Sequence, residues 1–183
     1  MKWLAVIVLG IALGLSPWGN APVGAAADPS ASPVVEIKAT ADETGRLVYF
    51  EPIGILVEPG TTVRWVLERN YHSVAAYHPE NGNRELRIPE GAEPWDSGML
   101  LVPGTSTFEV TLTVPGVYDY YCLPHERAGM VGRIIVGEPS GPGAEPFGYG
   151  AEHGWLAVPE AAQRAFPSIE EIMAKGVAPA VRR

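Results

Sequence analysis

Cysteine and histidine are scarce in this chain. Its 183 residues include one cysteine, Cys122, and four histidines, His72, His78, His125 and His153. A single cysteine cannot form an internal disulfide, and a free thiol is an oxidation liability in an exported protein. Metal ligation is therefore the better explanation of a lone cysteine in such a chain.

Positively charged residues are also few. Thirteen lysines and arginines face 21 aspartates and glutamates, which gives a formal net charge of -8 at pH 7. An acidic chain is repelled by nucleic-acid phosphates, so the charge argues against a nucleic-acid partner. Glycine and proline, by contrast, are abundant, with 21 and 18 residues. This composition favours many short strands joined by turns over long helices.

The chain begins with an apolar run that is too short to cross a bilayer comfortably. The run extends from Trp3 to Leu15, whereas a spanning helix needs about 20 residues. It follows Lys2 and precedes the small residues Ala25–Ala27, an arrangement typical of a secretory signal peptide. We therefore predict a signal peptide at 1–27 and an exported protein, periplasmic or otherwise extracytoplasmic. Membrane association is expected only if this segment stays uncleaved.

Alternating apolar and polar residues between Val34 and Val136 predict β-strands. The clearest strand is Thr61–Leu67, with three apolar side chains on one face. Further strands are predicted at Val34–Ala39, Arg46–Phe50, Ile53–Val57, Phe108–Val114, Val117–Cys122 and Met130–Val136. Seven short strands at this spacing predict an all-β fold, either an antiparallel sandwich or a barrel.

Two segments depart from the strand pattern. Residues 75–103 are polar and rich in turn signals, and we predict an inserted loop region there, within a domain that covers 28–137. Residues 138–183 are predicted to form a linker and a C-terminal tail with two short helices. Ser168 and Glu171 predict a capping box for the second helix. We expect the apolar stripe of the tail to pack on the β-domain rather than on a partner or a membrane.

The single cysteine is followed by two other soft ligands. Cys122, His125 and Met130 supply a thiolate, an imidazole and a thioether, a set that selects copper over magnesium or calcium. His72 follows the strand Thr61–Leu67 and is the best second imidazole. Two nitrogens and one sulfur, with a distant thioether, suit both Cu(I) and Cu(II) and would limit rearrangement during electron transfer.

These residues resemble the cupredoxin superfamily of small type 1 (blue) copper proteins. The C-x2-H-x4-M spacing of Cys122, His125 and Met130 is similar to that of plastocyanin and pseudoazurin. The tyrosine-rich segment Pro115–Cys122 and the segment Val57–Trp65 resemble the family's strands before its ligands. The resemblance covers roughly Val34 to Gly137.

The resemblance implies a Greek-key antiparallel β-sandwich with one type 1 copper ion bound by His72, Cys122, His125 and Met130. It also implies a shuttle of single electrons rather than an enzyme, with redox protein partners such as a cytochrome or a membrane oxidoreductase. We expect a monomer whose negative charge steers a basic partner. In the family the second imidazole lies near the surface within an apolar patch, and we predict that Pro124, Ala128, Gly129 and the neighbouring turns form this patch.

Several residues need separate predictions. Ser73 follows the first histidine where many family members have an asparagine that ties the two ligand loops together, and a serine would make a shorter version of that bond. We predict that His78 lies either on the surface or directly behind the metal ligands, that His153 lies on the surface of the tail, and that Met99 packs in the core. Trp65, Trp95 and Trp155 are predicted to serve packing in the core or the tail rather than electron relay.

Other functions remain open at this level. A copper delivery or storage protein would favour clusters of methionine or cysteine, and no such cluster is visible. A copper enzyme with an open coordination position is a further alternative. A hydrolase with Cys122 as nucleophile and His125 as base would leave His72 and Met130 without a role.

Overall fold

The computed structural model describes residues 32–180 of the chain. The signal peptide predicted at 1–27 lies outside these residues. Within residues 32–180, none of the helices combines the length and the apolar character needed to cross a membrane.

Nine strands in the described residues form two sheets. They are β1 (Val34–Ala41), β2 (Val48–Glu51), β3 (Gly54–Val57), β4 (Thr61–Leu67), β5 (Ala75–Ala76), β6 (Thr107–Leu112), β7 (Gly116–Tyr121), β8 (Val131–Val136) and β9 (Val177–Ala178). The first sheet has the order β2-β1-β4-β6 and the second the order β5-β7-β8-β3-β9. The predicted all-β sandwich is confirmed, because both sheets contribute side chains to one core.

Two strand pairs differ from the predicted antiparallel arrangement. β1 and β4 are parallel, and so are β3 and β8. Between β1 and β4 the chain passes through β3, which belongs to the other sheet. Parallel neighbours require such a crossover, whereas a tight hairpin produces an antiparallel pair.

The core is built from the inward faces of the two sheets. In β4, Val63, Trp65 and Leu67 are fully buried, as the alternation predicts. The indole ring of Trp65 lies 5.2 Å from the ring of Tyr120 on β7 and 5.8 Å from the ring of Trp95. Aromatic pairs at such distances add to the stabilisation from burial alone. The tryptophans Trp65 and Trp95 therefore serve packing.

The inserted region 75–103 is ordered and packs on the sandwich. Apart from β5 it has no regular strand, yet it buries Tyr77 and Ile88 in the protein. The prediction for Met99 is wrong, because this side chain is 41% exposed. Its neighbour Leu100 takes the buried position instead, and exchanges two backbone hydrogen bonds with His72.

The C-terminal tail packs on the second sheet. It contains the predicted short helices, α1 (Glu160–Ala165) and α2 (Ile169–Lys175). The Ser168 hydroxyl accepts a hydrogen bond from the Glu171 N–H, so this half of the predicted capping box is confirmed. Ala162 and Ile172 are fully buried, which confirms that this part of the stripe packs on the sandwich, whereas Met173 is exposed. The sequence did not predict β9, which pairs with β3.

A buried ionic network joins the tail to β7 and β8. The carboxylate of Asp119 accepts hydrogen bonds from the Nε atoms of Arg87 and Arg133, at 2.8 and 2.7 Å. Arg87 also donates to the carbonyl of Gly143, and Arg133 to the carbonyl of Pro167. Asp119 is fully buried, so these bonds replace the water that its charge would otherwise require.

Candidate metal centre

Two loops at one end of the sandwich bring the predicted ligands together. His72 follows β4 and is held in place by its pairing with Leu100. Cys122 directly follows β7, and a 3₁₀ helix, Leu123–Ala128, presents His125. His72 and Cys122 are fully buried, whereas His125 is partly exposed. One face of the site therefore reaches the surface through His125.

Three donor atoms converge on one point. The Nδ1 atoms of His72 and His125 lie 3.2 Å apart. The Sγ of Cys122 lies 3.6 Å from the first nitrogen and 3.3 Å from the second. A point equidistant from atoms with these separations is about 2.0 Å from each, close to the ~2.0–2.3 Å bonds that zinc forms with nitrogen and sulfur. Within the described residues, this is the cluster of histidine, cysteine and acidic side chains that could hold a metal ion.

The protonation states of these groups favour a cation at the convergence point. Burial, reinforced by repulsion from His125, lowers the pKa of His72 to about 4. Burial also lowers the pKa of His125, so both imidazoles are neutral lone-pair donors at neutral pH. Burial raises the pKa of the Cys122 thiol, and a bound metal would offset this cost by stabilising the thiolate. The residues present therefore fit a soft metal ion such as copper.

Met130 closes the ligand loop and directly precedes β8. Its side chain is fully buried and belongs to the same core cluster as Cys122. The Cys122 N–H donates to the carbonyl of Met130 at 3.0 Å, and the Met130 N–H donates to the carbonyl of His125 at 3.2 Å. These bonds close the segment 122–130 into a compact loop with the thioether on its buried side.

Ser73 links the two ligand loops. Its hydroxyl oxygen accepts a hydrogen bond from the Leu123 N–H at 2.8 Å. Its backbone N–H points at the sulfur of Cys122, at an N···S distance of 3.4 Å. The predicted serine substitute for the asparagine bond is confirmed. An N–H aimed at the sulfur also favours the charged thiolate over the thiol.

Several large apolar side chains close to the ligands are exposed. The Tyr71 ring lies 6.2 Å from the His125 ring. Met99 and Leu101 flank Leu100, the residue paired with His72. The large exposed side chains of this region are Tyr71 (57%), Met99 (41%), Leu101 (65%) and Leu123 (55%). Gly129, predicted to line the patch, instead faces α1, since a Cβ built on it would lie 3.3 Å from the Ala165 Cβ.

Neither of the remaining histidines belongs to the cluster of donor atoms. His78 accepts a hydrogen bond at Nδ1 from the Glu80 N–H. His153 is exposed on the tail and stacks on Trp155, with 4.3 Å between the ring centroids.

Sequence reasoning missed one residue beside the site. Glu126 follows His125 in the 3₁₀ helix and is buried, with Tyr77 and Arg84 as partners. A glutamate in a loop ordinarily faces solvent. No local pattern in the sequence distinguishes this one, because its partners come from the inserted region.

Known proteins resemble this chain over the sandwich and its site. The family described as copper binding proteins, plastocyanin/azurin family, matches residues 35–137. The chain is 32% identical over 138 residues to plastocyanin from Synechococcus sp. (strain JA-2-3B'a(2-13)), with 74% of this chain and 93% of that protein covered. It is 36% identical over 95 residues to chloroplastic plastocyanin from Hordeum vulgare, where the match covers 50% of this chain and only 57% of the relative.

Solved structures give a consistent result. A pseudoazurin from Sinorhizobium meliloti is similar to this chain with a TM-score of 0.53 and 31% sequence identity. The similarity covers 78% of this chain and 94% of the pseudoazurin, so it extends beyond the residues that the family match covers.

Proposed function

The chain belongs to the plastocyanin/azurin family of copper-binding proteins, and on this premise we propose that it is an exported carrier of single electrons. His72, Cys122, His125 and Met130 are the proposed ligands of one type 1 copper ion. The observation that carries this assignment is the convergence of two neutral imidazole nitrogens and one sulfur, separated by 3.2 to 3.6 Å.

The protein's own residues define how such a carrier works. Copper, when bound, supplies a one-electron couple between Cu(I) and Cu(II). The buried side chains of His72 and Cys122 exclude water and substrates from one side of the site. His125 alone reaches the surface, so the electron enters or leaves by its imidazole edge without any bond to a partner. The bond from the Leu123 N–H to the Ser73 hydroxyl holds the two ligand loops together.

The surface around His125 is the proposed docking site for redox partners. Tyr71, Leu123, Met99 and Leu101 form an exposed apolar patch that a partner would cover during a brief encounter. The proposed partners are a cytochrome or a membrane oxidoreductase, met outside the cytoplasm by a monomer. The N-terminal signal segment at 1–27 supports this location.

The alternative functions fit the site less well. A cysteine nucleophile needs a reachable thiolate, whereas Cys122 is fully buried and burial raises its pKa. A copper enzyme needs an open position for its substrate, yet only the edge of His125 is accessible. A delivery protein must release its metal to a partner, and the same burial opposes release.

The visible spectrum of the copper-loaded mature protein tests the proposal. We expect Cu(II) to produce an intense thiolate-to-copper band that reduction abolishes and oxidation restores. Cys122→Ser should lose this band, because a hydroxyl is not a comparable charge-transfer donor. A colourless wild-type protein with a freely titrating thiol would show that the copper assignment is wrong.

A further inference from the structure

The loop that presents His125 contains a buried acid with two partners from the inserted region. Glu126 is only 2% exposed. Its Oε1 accepts a hydrogen bond from the Tyr77 hydroxyl at 2.9 Å. Its Oε2 lies 2.7 Å from an Nη2 of Arg84. We refer to Tyr77, Arg84 and Glu126 together as the Glu126 anchor.

The Glu126 anchor also touches the strand that leads to Cys122. The Arg84 guanidinium lies over the ring of Tyr121, 5.2 Å from its centroid. The rings of Tyr77 and Tyr121 are 4.6 Å apart. Tyr121 immediately precedes Cys122, so the inserted region contacts the chain on both sides of the segment from Cys122 to His125.

The cost of burying the Glu126 carboxylate makes its bonds to Tyr77 and Arg84 a geometric constraint on the loop. Burying a carboxylate is costly unless its hydrogen bonds and ion pair are well formed, so Glu126 is stable only where both partners can reach it. The preceding residues Leu123 and Pro124 are exposed and offer the loop little packing. The orientation of the 3₁₀ helix, and with it that of the His125 ring, therefore depends on Glu126, the buried residue of this helix.

We propose that Glu126 is a positioning residue of the metal site: through Tyr77 and Arg84 it holds the His125 imidazole at one angle in both oxidation states. This inference rests on the proposed electron-carrier function. A ligand that moves little between oxidation states lowers the reorganisation needed for each transfer. The inserted region thereby contributes to the rate of electron exchange without touching the metal.

Three variants distinguish an effect of Glu126 on the position of the His125 ring from an effect of its negative charge on the metal. Tyr77→Phe removes one hydrogen bond and leaves the charges unchanged. Glu126→Gln removes the negative charge and leaves Arg84 unpaired. The double variant Arg84→Met with Glu126→Gln removes both charges, so the net charge near the metal equals that of the wild type. Glu160→Gln is the matched control, because it removes an acid from the exposed Glu160–Arg164 pair.

The readouts are the electron paramagnetic resonance spectrum of the copper(II) protein, its reduction potential and its electron self-exchange rate. We expect Tyr77→Phe and the double variant to slow self-exchange by about threefold or more, since a small misplacement of a reacting group is costly. Their copper spectra should also change. Glu126→Gln should raise the reduction potential, because lost negative charge favours Cu(I), and the double variant should bring the potential back. The control should match the wild type throughout.

Two outcomes would overturn the inference. Self-exchange rates and spectra that match the wild type in Tyr77→Phe and in the double variant would show that the anchor only stabilises the fold. Recovery of the wild-type rate in the double variant would show that Glu126 acts through its charge. Both outcomes require a blue wild-type protein, whereas failure of the proposed function would appear earlier, as a wild type without the thiolate band.

Discussion

At the scale of single residues, burial determines how each proposed ligand behaves. His72 is fully buried beside a second imidazole, and both effects disfavour its protonation. Ser73 is buried next to it and uses its hydroxyl to hold Leu123. Burial and hydrogen bonds thus fix the donors in place, and burial keeps both imidazoles neutral at neutral pH.

The depressed pKa of His72 predicts how the stability of the copper-free protein depends on pH. In the unfolded chain this imidazole titrates near 6.5, whereas in the folded protein it stays neutral to about pH 4. The stabilisation is therefore complete above pH 6.5 and is lost as the pH falls toward 4, by up to about 3 kcal/mol. Urea unfolding at a series of pH values measures this loss.

His72→Asn provides the matched comparison, because other groups also titrate in this range. We expect the copper-free variant to lose less stability than the wild type between about pH 7 and pH 4. Equal losses in the two proteins would contradict the depressed pKa of His72.

At the scale of elements, the tail and the inserted region change the environment of β7. A strand of a two-layer sandwich usually has one face in the core and one in water, but every residue of β7 is buried. Tyr118 and Tyr120 face the core, and Asp119 binds Arg87 and Arg133, which donate to carbonyls of the tail. The tail also covers the end of the metal loop, where Gly129 lies against α1. The metal site is thus supported by segments outside the strands that carry it.

Asp119→Asn tests this support. The substitution leaves the guanidinium groups of Arg87 and Arg133 buried without the carboxylate they share. Removing one partner of a buried ion pair typically costs about 3–5 kcal/mol of unfolding free energy, and we expect a loss of that size in urea unfolding. Glu160→Gln, in an exposed pair, should change stability by less than about 1 kcal/mol. A loss for Asp119→Asn as small as that of the control would mean that the network does not hold the tail.

At the scale of the whole molecule, the negative net charge of the chain and the positive charges near the ligands would act on a charged partner in opposite directions. The chain carries a net charge of -8, which attracts a positively charged partner over long distances. Arg69 and Arg127, both exposed, lie close in sequence to the proposed ligands His72 and His125. The net charge acts at longer range, so we expect it to dominate the encounter at low ionic strength.

Electron transfer with small charged reagents tests this balance. The rate constant for oxidation of the copper(I) protein by a tricationic cobalt phenanthroline complex should fall as ionic strength rises from about 0.01 M to about 0.15 M, because the Debye length shrinks from about 30 Å to about 8 Å. The rate with anionic hexacyanoferrate should rise over the same range. Arg127→Gln should speed the reaction with the cation. A rate that rises with ionic strength for the cation and falls for the anion would mean that Arg69 and Arg127 control the approach of the reagents.

The sequence by itself determined the features that depend on neighbouring residues. The strand Thr61–Leu67 has the predicted bounds because strict alternation reports directly which side chains share a face. The second tail helix begins at the predicted cap and ends at Gly176, because caps are local hydrogen bonds and backbone angles. The spacing of Cys122, His125 and Met130 is likewise contained in one short loop, so these three residue types indicate copper through their order along the chain.

Only the tertiary structure decided which polar residues are buried and which apolar ones are exposed. Asp119 and Glu126 resemble ordinary surface acids in sequence, and both are buried by segments that lie far away in the chain. Met99 and Leu100 are adjacent and apolar, yet Met99 is exposed and Leu100 is buried. This difference depends on the pairing of Leu100 with His72. Burial depends on what covers a residue, and the covering groups come from distant parts of the chain. The meeting of His72 with Cys122, 50 residues later, has the same cause.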